Sequence, residues 1–151
     1  MYALPDYQPT EHGTLAVVAR RVRGAVFCLL TALRYHELTT QAPFEVWVAI
    51  ENKARMPKVD YPQLRVVRFS PKSLSRGVER HRVEGTEIRV TSVAKTVADC
   101  FKFRNKVGLD VALEALREAR RSGTASADDL WRFAQLNRVA KVMRPYLEAV
   151  E

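Results

Sequence analysis

Val83-Glu84-Gly85-Thr86-Glu87-Ile88-Arg89-Val90-Thr91-Ser92-Val93-Ala94-Lys95-Thr96-Val97-Ala98-Asp99-Cys100-Phe101 changes its apolar period midway, and that change decides the fold. A strand ends at Val83, Glu84-Gly85 makes a two-residue turn, and Thr86 to Val90 returns as a second strand. Ser92 then stands where a helix N-cap belongs, its hydroxyl free to accept an orphan backbone N–H. Beyond it Val93, Val97, Cys100 and Phe101 recur at i, i+4, i+7 and i+8, one stripe of a helix. Strands before this junction and helices after it must pack together.

The turn fixes the register: Val83 faces Thr86, Arg82 faces Glu87, His81 faces Ile88 and Arg80 faces Arg89. One face of the hairpin carries Val83, His81, Ile88 and Val90 and is the expected core side. The other carries Arg80, Arg82, Glu87 and Arg89. Arg82 and Glu87 form a favourable cross-strand pair, whereas Arg80 and Arg89 repel. Two readings stand for that repulsion: nearby acids compensate, or an anionic partner does.

Working outward, Thr10 caps an expected helix to about Val22, with Leu15, Val18 and Val22 inward, and Gly24 stops it. Arg20, Arg21 and Arg23 crowd its end, where they serve either the helix dipole or a phosphate. Met1 to Pro9 reads as an extended arm. Ala25 to Leu30 is an apolar run leading into a helix that ends near Leu38. Thr39 to Pro43 connects it to a strand over Phe44–Ile50, with Val46, Val48 and Ile50 alternating against Glu45 and Trp47. Glu51 to Pro62 is a polar loop, Leu64 to Phe69 a strand, and Ser70 to Gly77 a turn or one helical turn.

On the C-terminal side Arg104 to Gly108 turns the chain. Leu109, Ala112, Leu113, Leu116 and Ala119 mark an amphipathic helix that Gly123 ends. Ser126 caps the next, with Asp128 and Asp129 in its first turn. A last helix covers Val139–Val150, with Pro145 expected to kink or break it. The class is α/β (α+β): a small, mostly antiparallel sheet from the 44–90 region, packed against several helices, with a helical C-terminal third.

The 151 residues suit one domain, and 47% hydrophobic with 28% charged residues is ordinary globular composition. No apolar run reaches membrane-span length and no signal peptide opens the chain, so a cytoplasmic protein is expected. Cys28 and Cys100 lie in apolar surroundings and read as buried free thiols. The formal charge is +8, with 14 Lys/Arg against 9 Asp/Glu in residues 1–90. That balance points toward nucleic acid or an acidic protein surface. The candidate nucleic-acid contacts are Arg20, Arg21, Arg23, Arg80, Arg82 and Arg89.

Catalytic patterns are thin. Glu51-Asn52-Lys53 at a strand end has the acid-x-Lys spacing that holds a metal and activates water in restriction-type nucleases. That chemistry also needs an aspartate on a neighbouring strand, and Asp6 and Asp60 are badly placed for it. Asp99 lies between Lys95 and Lys102 and reads as an ordinary intrahelical ion pair. His12, His36 and His81 are far apart, and no glycines cluster to cradle a phosphate. No catalytic residue, metal site or cofactor is expected.

Leu33-Arg34-Tyr35-His36-Glu37-Leu38-Thr39-Thr40-Gln41-Ala42-Pro43 resembles the SAL-x-x-H-x-L-T-x-Q-x-P segment of AbiEi-type antitoxins, from the abortive-infection, type IV toxin–antitoxin systems of bacteria. Ile88 to Ala115 is similar to the most recognisable block of that family, and Arg138-Val139 with Arg144-Pro145-Tyr146-Leu147-Glu148 resembles its closing helix. The resemblance implies a non-enzymatic antitoxin domain over residues 10–151 that counteracts a nucleotidyltransferase-like toxin, with or without direct contact. Family members usually begin with a winged helix-turn-helix whose wing resembles Tyr2-Ala3-Leu4-Pro5. This chain starts at that wing, so residues 1–9 read as a wing remnant and DNA binding does not carry over in full. The other reading is a DNA-binding transcriptional regulator without a toxin partner.

Overall fold

The computed structural model describes residues 11–41 and 45–150. The arm over residues 1–9, the Thr10 cap and the start of the strand expected at Phe44 lie outside them. The elements run α1 (Glu11–Arg21), β1 (Val26–Phe27), α2 (Leu29–Tyr35), β2 (Val46–Glu51), β3 (Leu64–Phe69), α3 (Pro71–Ser75), β4 (Val78–Val83) and β5 (Thr86–Thr91). Five helices follow: α4 (Val93–Lys102), α5 (Arg104–Val107), α6 (Leu109–Ser122), α7 (Ala127–Leu136) and α8 (Ala140–Ala149). The α/β class and the helical C-terminal third are those read from the sequence.

One five-stranded sheet has the order β3-β2-β1-β5-β4. It is mixed: β1–β2 and β4–β5 are antiparallel, β1–β5 and β2–β3 parallel. Two features escape the sequence pattern. The two residues of β1 come from the apolar run before α2 and sit at the centre of the sheet. β2 and β3 run in the same direction because residues 52–63 form a crossover long enough to carry the chain back, as a parallel neighbour requires. Val59 of that crossover packs against the core it passes.

The sheet separates two cores. On one side α1 lays Leu15, Ala16 and Val18, with Val22 just after it, against Phe27, Val46, Val48, Val83, Ile88 and Val90. On the other, Val26, Trp47, Ala49, Val67 and Phe69 meet α2 and the C-terminal helices. β2 is therefore buried on both faces, Trp47 as well as Val48. The alternation expected of a half-buried strand is absent because this strand has no solvent face.

α4 is the hub. Ser92 Oγ accepts the Lys95 N–H at 3.3 Å, the cap expected of it. The helix is sandwiched by α2, α6, α7 and α8, so every residue from Ala94 to Phe101 is buried, polar ones included. The single stripe read from the sequence is only part of its packed surface. Ser126 Oγ likewise caps α7, accepting from Asp129 N–H at 3.0 Å. Pro145 lies inside α8 without breaking it.

Candidate nucleic-acid interface

The β4–β5 hairpin turns through Glu84 and Gly85, both with positive φ (49° and 77°). Paired left-handed residues are the signature of a type I′ turn, whose twist matches that of the strands. The register is as expected at every pair, from Val83 opposite Thr86 to Arg80 opposite Arg89. Val83, Ile88 and Val90 are buried beneath α1, with His81 partly covered. Arg80, Arg82 and Glu87 are exposed on the opposite face and Arg89 is half-buried.

Among the described residues no acid forms an ion pair with these arginines, and the Arg80 and Arg89 side chains have neither a hydrogen bond nor an ion pair. Arg82 and Glu87, though opposite, make no ion pair; Arg82 Nη2 instead donates to the turn carbonyl of Gly85 at a long 3.4 Å. Directly opposed residues in an antiparallel ladder have Cα atoms about 4.5–5.5 Å apart, so two guanidinium groups share one strip of surface.

Arg20, Arg21 and Arg23 form a second group. Arg20 Nη1 donates to Thr86 Oγ1 at 2.7 Å, tying the end of α1 to the start of β5. Thr86 belongs to the face that α1 covers, so this group flanks the hairpin on the side away from Arg80, Arg82 and Arg89. Arg20 and Arg21 occupy the last turn of α1, as a helix dipole favours. The six candidates thus sit on two sides of one hairpin and do not form a single face.

Beside the hairpin, Tyr35 joins two histidines. Its ring meets His36 edge-on at 5.5 Å and His81 at 5.1 Å. His36 Nε2 lies 2.7 Å from the carbonyl oxygen of Thr91, so that nitrogen carries the proton it donates. His81 Nε2 pairs with Glu79 Oε1 at 2.9 Å. Burial, then Glu79, raises the Tyr35 hydroxyl above its ordinary value.

Behind the sheet the charge arrangement reverses. Lys95 and Asp99 do form the i, i+4 pair read from the sequence, at 3.4 Å, but both are buried. Lys95 Nζ also donates to Ser73 Oγ at 3.0 Å and sits 4.8 Å from the Phe69 ring centroid. Two oxygen partners and a ring face thus hold the Lys95 side chain in place. Asn137 Nδ2 donates to Asp99 Oδ1 at 2.7 Å, whereas Asp99 Oδ2 has no hydrogen-bond partner among the described residues. Burial raises the Asp99 carboxyl above its ordinary value, against the opposing pull of Lys95 and Asn137. Burial, with Asp99 nearby, also holds the free Cys28 and Cys100 thiols well up, which keeps them protonated and unreactive. Sequence reading missed Ser73 and Asn137 in this cluster. A lysine and an aspartate embedded among alanine, threonine, valine and cysteine were its one local signal.

Glu51 closes β2, and its Oε2 accepts the N–H of Lys53. Arg68 Nη1 donates to the carbonyls of Glu51, Asn52 and Ala54 at 3.2, 2.9 and 2.8 Å, clipping the same turn. The acid-x-Lys spacing therefore serves a loop. Among the described residues no three His, Cys, Asp or Glu side chains are grouped to hold a metal ion, and no helix is long and apolar enough to cross a membrane. No protein-family model matches the chain, and no curated protein matches it.

Proposed function

We propose that this chain is a non-enzymatic, cytoplasmic antitoxin domain of a bacterial type IV toxin–antitoxin system, of AbiEi type, acting against a nucleotidyltransferase-like toxin. The observation that carries the reading is where the antitoxin-like segments meet. His36, from the first segment, bonds the Thr91 carbonyl of the second at 2.7 Å. Thr39 Oγ1, also from the first, donates to Glu114 Oε1 of the second at 3.1 Å. Asn137, immediately before the third, bonds Asp99 of the second at 2.7 Å. Three segments separated in sequence thus converge on the end of β5, on α4 and on α6, as parts of one working unit do. Co-expression with such a toxin tests this: growth should return, and continued arrest with the chain folded and abundant overturns it.

A DNA-binding regulator without a toxin is the second reading. Arg80 and Arg89, opposed and without acid partners, favour it, because phosphates would relieve their repulsion. Both readings predict weak, sequence-independent duplex binding through the hairpin, and only the first predicts rescue from the toxin.

A further inference from the structure

A cleft of about 560 Å³ opens where the chain enters β4, lined by Arg76, Gly77, Arg132, Phe133, Gln135 and Leu136. That volume falls within the range of small-ligand sites, roughly 300–1,000 Å³, and exceeds the needs of a lone inorganic anion. Its lining combines three chemistries. The Arg76 guanidinium is exposed and, among the described residues, has no hydrogen-bond or ion-pair partner. Arg132 lies over the Phe133 ring at 5.2 Å and reaches Asp129 only at 3.4 Å, leaving most of its donors open. Leu136 and the 7% of Phe133 still exposed supply an apolar wall, and the Gln135 amide offers both a donor and an acceptor.

The cleft is also built rather than incidental. Gly77 has φ +70°, and a Cβ placed there would meet the Phe133 ring at 2.6 Å and Lys95 Cδ at 2.9 Å. The α7 ring thus reaches the backbone at the foot of β4 because that residue is glycine.

We infer that this cleft binds a nucleotide: phosphate at Arg76 and Arg132, and a base against Leu136 and the exposed rim of Phe133, with its edge at Gln135. Guanidinium groups match phosphate geometry in paired hydrogen bonds, and a base satisfies an apolar wall and an amide together. The site is independent of the antitoxin reading. Arg80 lies three residues beyond Gly77, about 10 Å along the strand, so a longer strand held by its terminal nucleotide could continue onto the hairpin arginines.

Calorimetric titration of the intact chain with AMP, adenosine and inorganic phosphate tests the assignment. AMP should bind at least about tenfold more tightly than either fragment. Arg76→Ala and Arg132→Ala, both at exposed positions, should each weaken AMP by about tenfold or more with unchanged circular dichroism. Arg55→Ala, on the crossover after β2, should leave AMP affinity unchanged. Absence of AMP binding, equal affinity for AMP and phosphate, or equal weakening by Arg55→Ala would each overturn the site.

Discussion

The two faces of the hairpin's neighbourhood handle charge in opposite ways. On the open face, Arg80, Arg82 and Arg89 make no ion pair among the described residues, although Glu87 lies opposite Arg82. Within twenty residues along the chain, Lys95 and Asp99 are fully buried, and Lys95 Nζ is held by Asp99, Ser73 and the Phe69 ring. Water tolerates like charges side by side at small cost, whereas the interior tolerates a charge only when it is paired. The exposed arginines are therefore available to a partner, and the buried pair is committed to the fold.

Removing one member of the buried pair should produce the largest effect. Asp99→Ala leaves Lys95 in an apolar interior with Ser73 as its one hydrogen-bonding partner among the described residues and frees the Asn137 amide, so unfolding free energy should fall by about 3–5 kcal/mol. Urea unfolding followed by circular dichroism reads this directly. A loss below 1 kcal/mol would mean that the pair is neutral or hydrated, and the contrast between the two regions would collapse.

Gly77→Ala probes the seam where the two regions meet. A side chain there combines a left-handed backbone with an approach of 2.6 Å to Phe133. The expected cost is about 2–4 kcal/mol, visible as a lowered Tm. An unchanged Tm would show that α7 moves aside easily and that the cleft beside Gly77 is soft.

The pH dependence sharpens the account of Asp99. Burial raises its carboxyl in the folded state, so the folded chain keeps a proton that the unfolded chain releases first. Its contribution to stability should be greatest below the ordinary carboxyl value of about 4 and decline as pH rises toward the raised folded value. The stability difference between the natural chain and Asp99→Asn, measured by urea unfolding from pH 4 to 8, should therefore shrink with rising pH. A difference that grows with pH would mean that Lys95 and Asn137 outweigh burial.

The smallest effect on stability belongs to the open face. Arg80→Ala with Arg89→Ala should leave the fold unchanged or stabilise it by a few tenths to about 1 kcal/mol. The same pair should matter for binding. The natural chain should bind duplex weakly, at roughly 10⁻⁴–10⁻⁶ M in physiological salt and without sequence preference. The double substitution should weaken binding equally for all sequences and flatten the salt slope by about 2, as two lost phosphate contacts require. Fluorescence titration of labelled duplex at several salt concentrations checks both. An unchanged slope would assign these arginines to the fold or to a protein partner.

What was legible in the sequence follows from what is local. Glu84-Gly85 between alternating residues fixed the turn and hence every pair of the hairpin register. Ser92, Ser126 and the apolar spacing after each placed α4 and α7, because caps and periodicity act within a few residues. β1 was hidden because two residues inside a continuous apolar run carry no period. The parallel β2–β3 pairing was hidden because nothing in a polar crossover announces its direction. The Arg82–Glu87 ion pair failed because opposite positions permit contact without compelling long, solvated side chains to make it. The buried cluster was half visible: the Lys95–Asp99 spacing shows in the helix, but Ser73 and Asn137 join from 22 and 38 residues away. The six arginines were legible as charges, whereas their division between two sides of the hairpin depends on where α1 packs.

The central proposal is that antitoxin action resides in the body organised around α4. The most direct measurement is growth of cells expressing the nucleotidyltransferase-like toxin together with this chain, alone or fused behind a winged helix-turn-helix, at matched protein levels. The account predicts equal rescue by the two forms. Rescue by the fused form alone would contradict it and place the activity outside these residues.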